Sequence, residues 1–250
     1  MKTIIEINNL THRFADGSVG IDRVSLSIKE GEFVVIAGPN GSGKTTLFHH
    51  LNGLLIPNSG TVIVNGVSVK KNPRLAKQLV GMVFQDADSQ IVGETVYDDA
   101  AFGPENLCLQ KAEVKKRVME ALSTVGLKGF EEKRPHLLSQ GEKRRLAIAG
   151  ILSMKPKVLV LDEPFSNLDY FGVKQVLSKI LELHRSGHTI LISTHDMEKV
   201  AAYADRLIIM NDGKKVKDAP LVALLDDLEK FGIRPPCSLR LGRDVEPWLA

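Results

Sequence analysis

Apolar and polar residues alternate with a period of two in three stretches of the first third of the chain: IIEINNL (4–10), VSLSIKEG (24–31) and GTVIVNG (60–66). Such alternation predicts half-exposed antiparallel strands, one face packed and the other wet. FVVIAG (33–38), KVLVLDE (157–163) and HTILIST (188–194) are instead continuous apolar runs, the pattern of strands buried on both faces. Buried runs separated by helical stretches predict parallel strands joined by crossovers, and so an α/β core. In KAEVKKRVMEALSTVGL (111–127), Val114, Val118, Ala121, Leu122 and Val125 recur at helical spacing, with cations on the opposite face. With a helix after Ser139, this predicts a helical subdomain over about residues 86–155, inserted between core strands. The closing stretch FGIRPPCSLRLGRDVEPWLA carries no assignable period and is read only as part of a C-terminal extension, 221–250.

The segment LSQGEKRRLAIAG (138–150) adds a local signal. Ser139 and Glu142 stand in the spacing of a capping box, each side chain satisfying the other's backbone N–H. Lys143, Arg144 and Arg145 then fall in the first turn, where the helix dipole disfavours cations. Positive charge crowded there predicts an anion in the working state.

Composition narrows the class without naming a ligand. At 250 residues, 43% hydrophobic and 25% charged, the chain reads as a soluble globular protein large enough for a sizeable core. A net charge of +3 gives no ground for a nucleic-acid partner. Cys108 and Cys237, far apart in sequence, suggest neither a disulfide framework nor a metal site, which fits a reducing cytosol. No apolar run approaches a membrane span, so a membrane role would come through a partner.

GPNGSGKTT (38–46) matches the phosphate-loop pattern, preceded by a buried strand and followed by LFHHLNGLL, a helix. Gly38, Gly41 and Gly43 would remove Cβ atoms where a phosphate approaches; Lys44 would reach the β- and γ-phosphates and the Thr45 hydroxyl a Mg²⁺ ion. In VLVLDEP (158–164), Asp162 ends a buried strand at the carboxyl edge, where open α/β sheets bind ligands and where it can hold the Mg²⁺ shell. Glu163, the next residue along, is expected on the other side of the strand, placed to polarise a water for in-line attack. His195 closes the third buried run, within reach of a γ-phosphate, and Gln85 ends VGMVFQ (80–85) just before the helical insertion.

Lys44, Gln85, LSQGE, Asp162-Glu163, SNLD (166–169) and His195, in that order, resemble the nucleotide-binding subunit of ATP-binding cassette transporters over nearly the whole chain to about residue 220. The resemblance implies a RecA-like P-loop NTPase core with an antiparallel β-subdomain and an inserted helical subdomain. It implies ATP bound by Phe14, Asn40, Gly41, Ser42, Gly43, Lys44, Thr45 and Thr46, and completed by Ser139, Gly141 and Asp169 of a second, head-to-tail chain. Thr45, Gln85 and Asp162 would serve Mg²⁺, while Glu163, His195 and Gln85 would serve hydrolysis. Two departures stand out: Gln140 replaces a glycine common in the LSGGQ-type segment, and Phe14 takes a position more often tyrosine. The run from Asp86 to Gln90 and VYDDAAFGPENL (96–107) further resemble the energy-coupling factor branch, which takes up vitamins and cobalt or nickel ions. The expected setting is the cytoplasmic face of the membrane, with transmembrane components and a second ATPase chain as partners. Two other readings compete: a soluble cassette protein acting in cofactor assembly, and a P-loop kinase of a small molecule. The latter would not explain LSQGE or SNLD.

Overall fold

The computed structural model describes residues 2–249, which form ten strands in two sheets. The smaller is antiparallel: β1 (Thr3–Arg13), β2 (Val19–Lys29), β4 (Ser59–Val64) and β5 (Val67–Ser68), in the order β2-β1-β4-β5. These are the alternating segments, and Ile5, Ile7 and Leu10 of β1 are buried while Glu6, Asn8 and Asn9 are exposed. The larger holds β3 (Phe33–Ala37), β6 (Val80–Val83), β7 (Val158–Asp162), β8 (Thr189–Thr194), β9 (Arg206–Asn211) and β10 (Lys214–Pro220). Its order is β10-β9-β3-β8-β7-β6, parallel except for the edge strand β10.

The continuous apolar runs lie at the centre of this sheet because both their faces are covered. Val34 and Ile36 of β3 pack toward the small sheet, with Leu47 and Phe48 of helix α1 (Lys44–Asn52). Phe33, Val35 and Ala37 point the opposite way, into the core shared with the remaining helices. Val158 and Val160 against Leu159 and Leu161 divide β7 in the same manner. A strand reads as uniformly apolar when neither face meets water.

After α2 (Pro73–Leu79) and β6, the chain forms α3 (Val96–Asn106), α4 (Lys111–Thr124) and α5 (Gln140–Leu152), which pack on one another. Val114, Val118, Ala121 and Leu122 are the buried face of α4, and Gly126 at φ +72° ends it. Helix α5 also packs on β6 and on α6 (Tyr170–Arg185), so it joins the helical layer to the sheet. Leu221, Leu224, Leu225 and Leu228 bury the stretch after β10 in the main core, and a short helix α7 (Cys237–Arg240) follows. No helix among the described residues is long and apolar enough to cross a membrane.

Candidate nucleotide site and family

The turn between β3 and α1 is shaped first by the protein's own backbone. A Cβ at Gly38, φ +152°, would lie 2.1 Å from the Met210 carbonyl oxygen, and one at Gly43, φ +99°, 2.7 Å from that of Gly20. Only glycine fits at either place. At these two positions the fold itself demands glycine, whatever a phosphate adds, whereas the Cβ direction at Gly41 is open. No side chain caps α1. Its first N–H groups thus face a cleft of about 580 Å³ lined by Asn40 to Thr46, Phe14, Gln85, Asp162, Glu163 and His195. Lys44 Nζ donates to the carbonyls of Gly38 at 2.8 Å and Pro39 at 3.0 Å. Burial pulls its ammonium below the ordinary lysine range, opposed by Glu163 and Asp162.

At the cleft floor Thr45 Oγ1 donates to Asp162 Oδ2 at 2.7 Å, joining α1 to the end of β7. The other oxygen of Asp162 accepts from the Ser193 hydroxyl on β8, and that hydroxyl in turn accepts the Glu163 N–H at 3.0 Å. Ser193 thus fixes both carboxylate residues, a role that a serine inside an apolar run does not advertise. Glu163 does not face away from Asp162 as strand alternation would have it. The strand has ended, Glu163 adopts φ +45°, and both carboxylates line the same cleft. His195 Nδ1 lies 2.9 Å from Glu163 Oε1. Phe14 is partly exposed at the mouth; a Cβ at Gly20 would come within 2.7 Å of its ring, so Gly20 is what lets the ring seat. Behind it His12 packs edge-on at 4.8 Å, and beyond that stands His50, held neutral by burial and by His12, its pKa pushed down to about 4.

Ser139, Gly141 and Asp169 lie elsewhere. They line a second cleft of about 390 Å³ that shares no residue with the first. Ser139 caps α5, its hydroxyl accepting the Glu142 N–H at 3.3 Å while Glu142 accepts the Ser139 N–H at 2.7 Å. Asp169 caps α6 through the Gly172 N–H at 2.7 Å. A Cβ at Gly141 would meet Gly172 Cα at 3.2 Å, so the two helix starts pack closely, backbone against backbone. One chain therefore carries a phosphate-loop cleft and, apart from it, the cleft headed by LSQGE.

Comparison with known proteins bears on this division. Residues 21–166 match the ABC transporter family. The chain is an ABC transporter ATPase. It is 46% identical over 239 residues to the energy-coupling factor transporter ATP-binding protein EcfA of Methanocaldococcus jannaschii, covering 93% of this chain and 86% of that one. It is 41% identical over 247 residues to the cobalt import ATP-binding protein CbiO of Rhodobacter capsulatus, covering 96% and 88%. Among solved structures it is similar to cbiO1 from Clostridium perfringens, described as part of the ABC transporter complex cbiONQ. There the TM-score is 0.82 and the identity 35%, over 97% of this chain and 98% of that one.

In this ABC ATPase the three cations after Glu142 already have partners of their own. Lys143 Nζ pairs with Asp88 Oδ1 at 2.5 Å. Arg144 donates to the carbonyls of Phe84 and Gln85, the latter at 2.5 Å, and so holds the backbone of Gln85 at the cleft edge. Arg145 donates to the carbonyls of Val125 at 2.9 Å and Gly126 at 3.1 Å, the end of α4. The three charges are thus engaged with a carboxylate, a loop and a helix end within the chain, so they do not by themselves call for an anion. Gln140 joins them, its amide donating to Asp88 Oδ2 at 3.1 Å. Asp99 is a further residue that sequence reading missed. Buried, it accepts the N–H groups of Val92 at 2.8 Å and Gly93 at 3.1 Å, which anchors the segment following Gln85.

Arg145→Ala should accordingly destabilise the fold by about 1.5–3 kcal/mol, since two carbonyls lose a charged donor in a buried place. Urea unfolding should show a lower midpoint at an unchanged slope. A midpoint within error of wild type would mean that water satisfies those carbonyls.

Proposed function

We propose that this chain is the ATP-hydrolysing subunit of an energy-coupling-factor-type importer, working as a head-to-tail pair at the cytoplasmic face of the membrane. The observation that carries it is the separation of the Lys44 and Ser139 clefts on one chain, which a head-to-tail pair would bring together. The cobalt import protein among the relatives supports uptake as the process and a metal ion such as cobalt as the solute, with a vitamin as the alternative that the resemblance to the energy-coupling factor branch implies.

Hard oxygen donors converging at Thr45 and Asp162 suit Mg²⁺, with Gln85 at the rim. When bound, that ion would neutralise charge on the β- and γ-phosphates. Lys44 and the uncapped first turn of α1 bind the phosphates, and Ser42 Oγ, buried without a partner, is a further free group there. Phe14 offers a ring for the adenine, worth about 0.5–1.5 kcal/mol. Glu163 accepts a proton from the attacking water, oriented by His195 beside it. Ser139, Gly141 and Asp169 of the partner close the site.

The membrane partner docks where an apolar cleft of about 520 Å³ opens between the sheet and α3, lined by Met82, Phe84, Val92, Phe102, Ile151 and Met154 among others. Val92 and Phe102 are exposed there at 62% and 56%. Asp88 is a poor probe of this surface because it is tied to Lys143 and Gln140. Phe102→Glu is the cleaner one. It should abolish co-purification with the membrane component while phosphate release by the chain alone continues within about twofold, as expected of a surface change far from the phosphates. Loss of both activities together would place Phe102 in the service of the nucleotide site. Phosphate release with no acceptor present also tells an ATPase from a small-molecule kinase.

A further inference from the structure

We infer that residues 233–249 form a strap that holds the Asp169 turn in register with the His195 segment, and that Trp248 is a positioning residue for hydrolysis. The inference rests on the ATPase reading above.

The stretch is fastened at two places. At one end Arg234 forms a parallel β-bridge with Asp196, the residue after His195, and the Cys237 N–H donates to Glu198 Oε2 at 2.6 Å. At the other end the Leu249 N–H donates to Tyr203 Oη at 2.7 Å, and the Trp248 ring lies 5.1 Å from that of Tyr170, tilted by 47°. Tyr170 is the first residue of α6 and directly follows its cap, Asp169. Leu239 and Val245 between these ends, like Trp248, Leu249 and Tyr203, are partly buried and pack against the main core.

The two fastened places belong to different clefts. His195 lines the phosphate-loop cleft, 2.9 Å from Glu163, while Asp169 lines the Ser139 cleft. Apart from the strap, they are joined through the Glu163–Leu168 turn, where Glu163 and Asn167 both adopt positive φ and which Ser166 and Leu168 N–H bonds close locally. The first half of this turn is held by Phe165, buried in the main core, whereas Asn167 and Asp169 at its far end are exposed. Anchoring Tyr170 from outside, by an aromatic ring tied to the segment after His195, fixes the Asp169 side of the turn relative to the Glu163 side. In a head-to-tail pair, Asp169 serves the partner's nucleotide. The strap therefore links the γ-phosphate end of one site to the completing surface of the other.

The distinguishing readout is the split between kcat and KM. Nucleotide binds through α1 and Phe14, which the strap does not touch. Misplacing a closing group by about 1 Å costs about 10²-fold in rate. Trp248→Ala in the full chain should thus lower kcat between about 10- and 100-fold with KM for ATP unchanged, a split that loss of packing alone would not produce. Trp248→Phe should recover most of it, because a phenyl ring still packs on Tyr170. Tyr203→Phe, which removes the hydroxyl that accepts the Leu249 N–H and donates to the Leu249 carbonyl at 3.5 Å, should lower kcat in the same direction and decides the matter if Trp248→Ala does not fold. Wild type and Lys44→Ala are run alongside. Activity in the first and none in the second upholds the ATPase reading; equal rates overturn that reading and this inference together. If they differ as expected, an unchanged kcat in Trp248→Ala or Tyr203→Phe overturns the strap alone. A parallel fall of kcat, affinity and urea midpoint that phenylalanine does not rescue does so too, since the tail would then be merely packing.

Discussion

Glu163→Gln should retain ATP binding and lose about 10²–10⁴-fold in kcat, the range expected when a general base is removed. Glutamine keeps the size and the hydrogen-bonding reach of glutamate but accepts no proton at neutral pH. The backbone that presents it is held independently, by the Ser193 carbonyl at 3.1 Å and hydroxyl at 3.0 Å, so the substitution leaves Asp162 in place. ATP should then gather a stable dimer, because the closed state forms but does not turn over. Phosphate release and light scattering with and without ATP measure the two halves of this expectation. Wild-type turnover would remove Glu163 from the mechanism and leave His195 as the remaining proton acceptor at that position.

The sequence made the sheet legible wherever burial was uniform or strictly alternating. FVVIAG, KVLVLDE and HTILIST are strands because both their faces are covered, and IIEINNL is one because a single face is. It was less informative where the chain turns on a backbone contact. At Gly38 and Gly43 the phosphate-loop pattern alone does not show a second requirement, set by Met210 and Gly20, remote in sequence, whose carbonyls leave no room for a Cβ. Strand alternation put Glu163 opposite Asp162, whereas a positive φ just past the strand end returns it to the same cleft. Lys143, Arg144 and Arg145 were read against the local helix dipole alone. Their partners are Asp88 and carbonyls from Phe84 to Gly126, contacts that no period along the chain encodes. The closing residues had no pattern because their anchors, Tyr203 and Tyr170, belong to other elements. The motif set itself was legible in order; its division between two clefts needed the fold.

That division has a consequence that mixing two inactive variants exposes. Hydrolysis needs donors on both sides of the γ-phosphate, since phosphoryl transfer depends on positioning and electrostatic stabilisation. Lys44→Ala removes a phosphate contact from its own site, and Ser139→Arg fills the completing surface with a bulky cation. Each should inactivate both sites of a homodimer. In a mixed dimer one site carries both lesions and the other carries neither, so combining two dead proteins should restore activity, up to about a quarter of the wild-type rate for random exchange of equal amounts and sites that work alone. Ser139→Arg also removes the α5 cap, worth about 1 kcal/mol, so its folding and ATP binding are checked first. Subunit exchange is followed by differential tagging. If mixed dimers form and stay dead, either the two sites are obligatorily coupled or Ser139 serves its own chain, and a wild-type chain paired with the Lys44→Ala, Ser139→Arg double variant separates the two. With Ser139 acting across the interface that dimer has one lesion in each site and must be inactive. With Ser139 serving its own chain it keeps one intact site, and residual turnover there would overturn the head-to-tail arrangement.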